Sequence, residues 1–200
     1  ASPVEVHRSH LPLLPPPVRT AILAANRPLS GPVGVVQRAN GILRPYQDEA
    51  ADFVRARHGS ILAFQMGVGK TRTALAATYA PDRIGIIVAP LVTWTVWKKE
   101  IKLVYGDDYP VTEVRGKKLT EDSSLTRPGI YLLNPEIARD RFSEWMAVRP
   151  EFVILDEAHL YINRRTQRHA GARSLITRAN HRVALTGTPI LRHVVDLHGI

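Results

Sequence analysis

Cysteine is missing altogether, which excludes disulfides and thiolate zinc sites. That composition fits a reducing interior. No apolar run approaches the ~20 residues that span a bilayer. The N-terminus also lacks a charged stretch followed by an apolar one, so neither a membrane span nor a secretory leader is expected. A cytoplasmic location is the default expectation. Histidines and carboxylates form no cluster at ligand spacing, so a metal site built on His is not expected. Internal repeats are missing too, and no low-complexity tract follows the first forty residues.

What is present describes an ordinary globular chain. Its 200 residues suffice for one well-packed domain, and 44% apolar with 22% charged residues can bury a real core. The balance is basic, 27 Lys plus Arg against 18 Asp plus Glu, a net charge of +9 that draws the chain toward polyanions. Seven of the fifteen prolines fall in the first forty residues. Proline fixes φ and removes a donor, so this stretch supports neither a long helix nor a central strand. Residues 1–40 are expected to be an arm or linker with room for a short helix at 18–26, and residues 41–200 the domain.

From Gly41 onward, helical spacing alternates with short apolar runs. Helices are expected at 46–57, with Pro45 at its first position, and at 70–79 and 94–104. Further helices should follow Pro135, occupy the Arg-rich stretch before 182, and begin near Leu191. Strands are expected at 60–64, 84–89, 130–133, 152–155 and 182–185. Continuous apolar strands spaced by helices imply an α/β fold, a mainly parallel sheet covered on both faces. Ligands of such sheets bind at the carboxyl ends of the strands.

The turn after the first expected strand reads Gln65-Met66-Gly67-Val68-Gly69-Lys70-Thr71. Gly67 and Gly69 let the backbone curl with its N–H groups inward, onto the positive end of the following helix. Lys70 supplies a point charge for β- and γ-phosphates, and Thr71 a hydroxyl ligand for Mg²⁺. Phe64 stands where the full phosphate-loop pattern has its first glycine. The run at 152–155 leads straight into Asp156-Glu157-Ala158-His159, which puts two carboxylates at the carboxyl edge of the sheet. Asp156 suits Mg²⁺, and Glu157 suits orienting and deprotonating an attacking water, the work that phosphoryl transfer requires.

Taken together, these motifs resemble superfamily 2 helicases of the Swi/Snf-like branch. The resemblance rests on six places in order. They are Leu43-Arg44-Pro45-Tyr46-Gln47, Met66 to Thr71, Ile87-Val88-Ala89-Pro90-Leu91 with Trp97-Lys98-Lys99-Glu100, the looser Leu133-Asn134-Pro135-Glu136, Asp156 to His159, and Leu185-Thr186-Gly187-Thr188-Pro189-Ile190. It covers residues 41–200 and implies the first RecA-like lobe of a P-loop NTPase, a three-layer sandwich that uses ATP and Mg²⁺. It implies that Gln47 reads the adenine edge, with Arg44 and Tyr46 supporting, and that Met66, Gly67, Val68, Gly69, Lys70, Thr71 and Arg72 hold the phosphates. Thr186, Gly187 and Thr188, with His159, would link nucleotide to nucleic acid, and Pro90, Leu91 and Asn134 would face the bound strand. In this family a second lobe carries an arginine finger, which is expected here in cis or in trans. An isolated first lobe is expected to turn ATP over poorly. The expected location becomes the nucleoid in a bacterium or virus and the nucleus in a eukaryote.

Arg164, Arg165, Arg168, Arg173, Arg178 and Arg182 form an acid-free run after the acidic motif. Two readings of it stand: a solvated basic face, or contacts to backbone phosphates by residues such as Arg164 and Arg165. Lys98, Lys99 and Lys102 carry the same two readings. Trp94, Trp97 and Trp145 are expected to pack rather than stack on bases. The expected partner is double-stranded DNA bound without sequence reading. Competing readings are a non-catalytic binding module on a lone lobe, an RNA helicase lobe, and an unrelated oligomeric P-loop ATPase.

Overall fold

A computed structural model describes residues 41–116, 127–141, 149–161, 163 and 165–187. The arm at 1–40, the expected helices at 18–26 and from 191, and the residues Trp145, Arg164 and Thr188 lie outside the described residues.

Among the described residues six strands form one all-parallel sheet: β1 (Gly59–Leu62), β2 (Ile84–Val88), β3 (Val111–Glu113), β4 (Gly129–Leu133), β5 (Phe152–Leu155) and β6 (His181–Leu185). In the same residues one helix precedes β1 and four connect strands: α1 (Pro45–Arg55), then α2 (Lys70–Ala77), α3 (Trp94–Tyr105), α4 (Pro135–Asp140) and α5 (Gln167–Ile176). Short 3-10 turns at Leu91–Thr93 and Ala158–Tyr161 follow β2 and β5. Across the sheet the order is β1-β6-β5-β2-β4-β3.

Strand side chains alternate between two apolar layers, as the pleat requires. Leu62, Ile87, Ile130, Leu132, Phe152, Ile154, Val183 and Leu185 pack beneath α1, α2 and α3. Ile86, Val88, Tyr131, Leu133, Val153 and Leu155 pack beneath α4 and α5. The sheet is therefore covered on both faces, which is why its strands read as continuous apolar runs. Each fully buried Leu, Ile or Phe contributes about 1.5–3 kcal/mol. Helix α3 joins this core along one stripe, Trp94, Trp97, Ile101, Val104 and Tyr105, at helical spacing. Where α5 crosses α4, Gly171 lets the backbones touch: a Cβ there would stand 2.7 Å from Arg139 Cα.

Two details differ from the expected elements, and the strand order is new. Edge strand β3 was not anticipated, because Val111-Thr112-Glu113 is only three residues long and half-exposed throughout. The first strand ends at Leu62, not at 64, because its partner β6 ends at Leu185, opposite Leu62. Ala63 and Phe64 run on, still buried, beyond the ladder. The acidic strand β5 is not beside β1. The chain leaves β1 for the fourth position of the sheet, and β6 later fills the place between β1 and β5. Hence the end of β6, Thr186-Gly187, lies between the Gly-rich turn and the two carboxylates.

Candidate nucleotide-binding site

Every predicted motif among the described residues leaves a strand or opens a helix at one edge of the sheet. The Gly-rich turn follows β1, and α2 starts on Lys70 with Gly69 as its cap at φ 87° and ψ 33°. Gly67 has φ 81°. Both angles lie in the left-handed region that glycine alone adopts without cost. A Cβ at Gly69 would also meet Gln47 Nε2 at 2.1 Å, so the Gln47 carboxamide would have to leave its place. Helix α2 has no side-chain cap and no acidic residue in its first turn. Its N–H groups and positive dipole end are thus open to an anion.

Lys70 lies across this turn. Its Nζ donates to the carbonyls of Phe64 at 2.9 Å and Gln65 at 3.1 Å. Burial pulls its pKa below the ordinary lysine value, and the nearby carboxylates of Glu157 and Asp156 pull it back up. Gly187 sits just above, where a Cβ would be 3.9 Å from Lys70 Nζ and 3.6 Å from Met66 Cγ. Thr186 is fully buried, its N–H donating to Leu62 O at 3.2 Å.

Gln47, buried on α1, is held at both ends of its carboxamide. Its Oε1 accepts from Arg44 N at 2.8 Å, and its Nε2 donates to Val68 O at 3.0 Å. Tyr46 Oη donates to the same Val68 carbonyl at 2.9 Å. The segment expected to read a base therefore also braces the Gly-rich turn. Arg72 is engaged as well: its guanidinium clamps both carboxylate oxygens of Glu100 on α3, at 2.8 and 3.1 Å, and reaches Ile42 O at 3.4 Å. A cleft of about 400 Å³ opens among these groups, lined by Arg44, Tyr46, Gln47, Thr71, Arg72 and Glu100 with the Gly-rich turn as its floor.

At the end of β5, Asp156 is 9% exposed and Glu157 half-exposed. Glu157 takes φ 48°, the one non-glycine residue with positive φ among those described. Strain of this kind persists where surrounding structure over-determines it, and it clusters at functional sites. The Glu157 N–H donates to Asp156 Oδ1 at 3.0 Å, and His159 Nδ1 stands 3.2 Å from Glu157 Oε2. Asp156 Oδ2 accepts from Trp97 Nε1 at 2.9 Å, with Thr93 Oγ1 at 3.4 Å. No local sequence pattern marks these contacts. The Trp97 ring lies in the core as expected, at 1% exposure, but its indole N–H reaches the acid 59 residues away.

The residues expected at a nucleic acid divide. Pro90 and Leu91 form an exposed turn after β2, with Leu91 52% and Val92 88% exposed. Asn134 caps α4, its Oδ1 accepting from Ile137 N at 2.7 Å. Arg165, Arg168 and Arg173 are exposed, as are Lys99 and Lys102. The acid-free run does meet an acid in space, since Arg168 pairs with Glu136 of α4 at 2.8 Å. Lys98 pairs with Glu113 of β3 at 2.6 Å. Among the described residues no group of three or more His and carboxylates could hold a metal, and no helix is long and apolar enough to cross a membrane.

An all-parallel sheet carrying a glycine-rich turn, a lysine and paired carboxylates along its carboxyl edge defines a RecA-like lobe. The chain belongs to the SNF2-related domain family, which matches residues 36–200. The fold is shared with the SWI2/SNF2 ATPase core of Sulfolobus solfataricus solved in complex with double-stranded DNA. That similarity has a TM-score of 0.66 at 24% identity and covers 84% of this chain and 36% of that one. The helicase swr1 of Schizosaccharomyces pombe is 31% identical over 180 residues, 78% of this chain and 13% of the relative. The bifunctional helicase and thymine dioxygenase of Trypanosoma cruzi is 28% identical over 201 residues, 88% of this chain and 18% of the relative. The chain thus spans less than a fifth of the length of these curated relatives.

Proposed function

We propose that residues 41–200 are the ATP-binding lobe of a DNA-dependent ATPase, and that hydrolysis is coupled to movement along double-stranded DNA once a second RecA-like lobe is engaged. The observation that carries this reading is the meeting, at one edge of the sheet, of an uncapped helix N-terminus, the Lys70 ammonium and two carboxylates close enough to act on that ammonium. Membership of the SNF2-related family supports it. So does the fold shared with an ATPase core solved on double-stranded DNA.

The residues present fit Mg·ATP. Hard oxygen donors, the Thr71 hydroxyl and the Asp156 carboxylate, suit Mg²⁺, which takes few protein ligands and relies on phosphates and water for the rest. When bound, the ion neutralises developing charge on the phosphates. The chain's own groups do the remaining work. Lys70 exchanges the carbonyls of Phe64 and Gln65 for phosphate oxygens, and the N–H groups opening α2 receive the same phosphates. Gln47, Arg44 and Tyr46 border the cleft where a base enters, and Gln47 keeps Val68 in place beneath it. Glu157 orients a water and accepts its proton, with His159 Nδ1 3.2 Å from its Oε2. Thr186 and Gly187, wedged between turn and acids, carry the nucleotide state toward the DNA side. Thr188 would extend that link. On that side Pro90, Leu91 and Asn134, with Arg164, Arg165 and Arg173, meet backbone phosphates without reading bases.

Titrating the chain with a fluorescent ATP analogue and Mg²⁺ tests the reading. One saturable site is expected, and Lys70→Ala should weaken it by roughly 10- to 100-fold, the loss of a charge-assisted hydrogen bond. Equal affinity in Lys70→Ala would sink the proposal.

A further inference from the structure

We propose that Trp97 is a positioning residue for Asp156, its indole N–H fixing the carboxylate that meets the cation; this rests on the nucleotide-site reading above. Trp94 and Trp97 lie one turn apart on α3, and both are buried. Their donors end differently. Trp94 Nε1 goes to a backbone carbonyl, Ala89 O at 3.0 Å, the usual way for a core tryptophan to satisfy its N–H. Trp97 Nε1 goes instead to Asp156 Oδ2 at 2.9 Å.

Thr93 does not take over this work. Its hydroxyl has one proton for two acceptors, Pro90 O at 2.8 Å and Asp156 Oδ2 at a longer 3.4 Å. The other carboxylate oxygen, Oδ1, accepts from Glu157 N at 3.0 Å. One close N–H donor on each oxygen sets the plane of the carboxylate and leaves lone pairs for a cation. Neither donor carries charge. An arginine or lysine in place of Trp97 would also hold the carboxylate, but it would neutralise it and repel a divalent cation. An indole holds the acid and leaves its full negative charge for the ion. Partners of this kind orient metal-binding groups, and losing one typically costs about 10- to 100-fold in metal affinity or activity.

Helix α3 carries a second contact of the same kind one turn on. Glu100 clamps Arg72, the residue after Thr71, in a bidentate pair. Thus Trp97 holds one oxygen donor suited to Mg²⁺, Asp156, and Glu100, three residues on along α3, holds Arg72, the residue next to the other, Thr71. The helix gives the acid strand and the Gly-rich turn a common reference.

The test compares the unaltered chain with Trp97→Phe, which keeps an aromatic ring in the core and removes the N–H. Binding of a fluorescent ATP analogue is followed in EDTA and across a Mg²⁺ titration. In Trp97→Phe the Mg²⁺ needed for half-maximal effect should rise about 10- to 100-fold, with affinity in EDTA unchanged. An unchanged Mg²⁺ dependence in a folded Trp97→Phe protein overturns this inference alone. So does a loss of affinity that is equal with and without Mg²⁺, which marks a core role only. No binding to the unaltered chain under either condition overturns the proposed function and this inference with it.

If Trp97→Phe does not fold, the unaltered protein still decides the matter by NMR. Its Trp97 indole N–H resonance, identified as the one displaced in Asp156→Asn, should shift when Mg²⁺ is added to the nucleotide-bound protein. A resonance that stays in place overturns the inference.

Discussion

Joined to a second RecA-like lobe, the chain should hydrolyse ATP about 10³- to 10⁵-fold faster than alone, the effect of an arginine finger on phosphoryl transfer. The reason lies in what this edge of the sheet holds. In the proposed reading, Lys70 and the uncapped N-terminus of α2 meet phosphates, and Asp156 and Glu157 serve cation and water. Among the described residues that line the cleft, the two arginines belong to the base end or are already engaged: Arg44 stands beside Tyr46 and Gln47, and Arg72 is clamped by Glu100. Neither is placed to stabilise charge on the leaving phosphate. Steady-state turnover of the chain alone and of the joined protein measures the difference. An isolated chain as fast as the joined protein would show that the positive charge comes from within this lobe or from a second copy of it.

In the joined protein, Glu157→Gln should lower kcat by about 10²- to 10⁴-fold, the range for losing a general base. Glutamine keeps the size of the side chain and can still orient a water, but it cannot take the proton. Nucleotide affinity should not weaken, because the exchange removes a negative charge that acts on Lys70 and leaves Lys70 and the N-terminus of α2 in place. The backbone at φ 48° already favours no particular long side chain, so the exchange adds little strain. Single-turnover rates with a parallel binding titration separate the two effects. A kcat loss below about tenfold would move the base elsewhere, with His159 the nearest alternative.

Much of this site was readable before the fold was known, and the reason is local. Gly67 and Gly69 announce a turn that needs positive φ, and both have it. The apolar strand running into Asp156-Glu157 places the acids at a strand end by its own pattern. Pro45 and Pro135 mark helix starts because their missing N–H costs nothing there. What stayed hidden depends on partners distant in sequence. Trp97 looks like any core tryptophan until β5 brings Asp156 to its N–H. Arg168 sits in an acid-free run, yet Glu136, 32 residues away, neutralises it across the α4–α5 contact. Gln47 has a side chain suited to a base, and only the fold shows its amide also bracing Val68. Strand β3 is too short for an alternating pattern, and it exists because β4 offers it a ladder.

The most direct test of the account is the ATP turnover of the joined protein with and without double-stranded DNA, at fixed low salt, beside the Lys70→Ala protein. The account predicts turnover that rises with DNA of any sequence, falls as salt is raised, and disappears in Lys70→Ala. Turnover that ignores DNA, or that survives in Lys70→Ala, would contradict it.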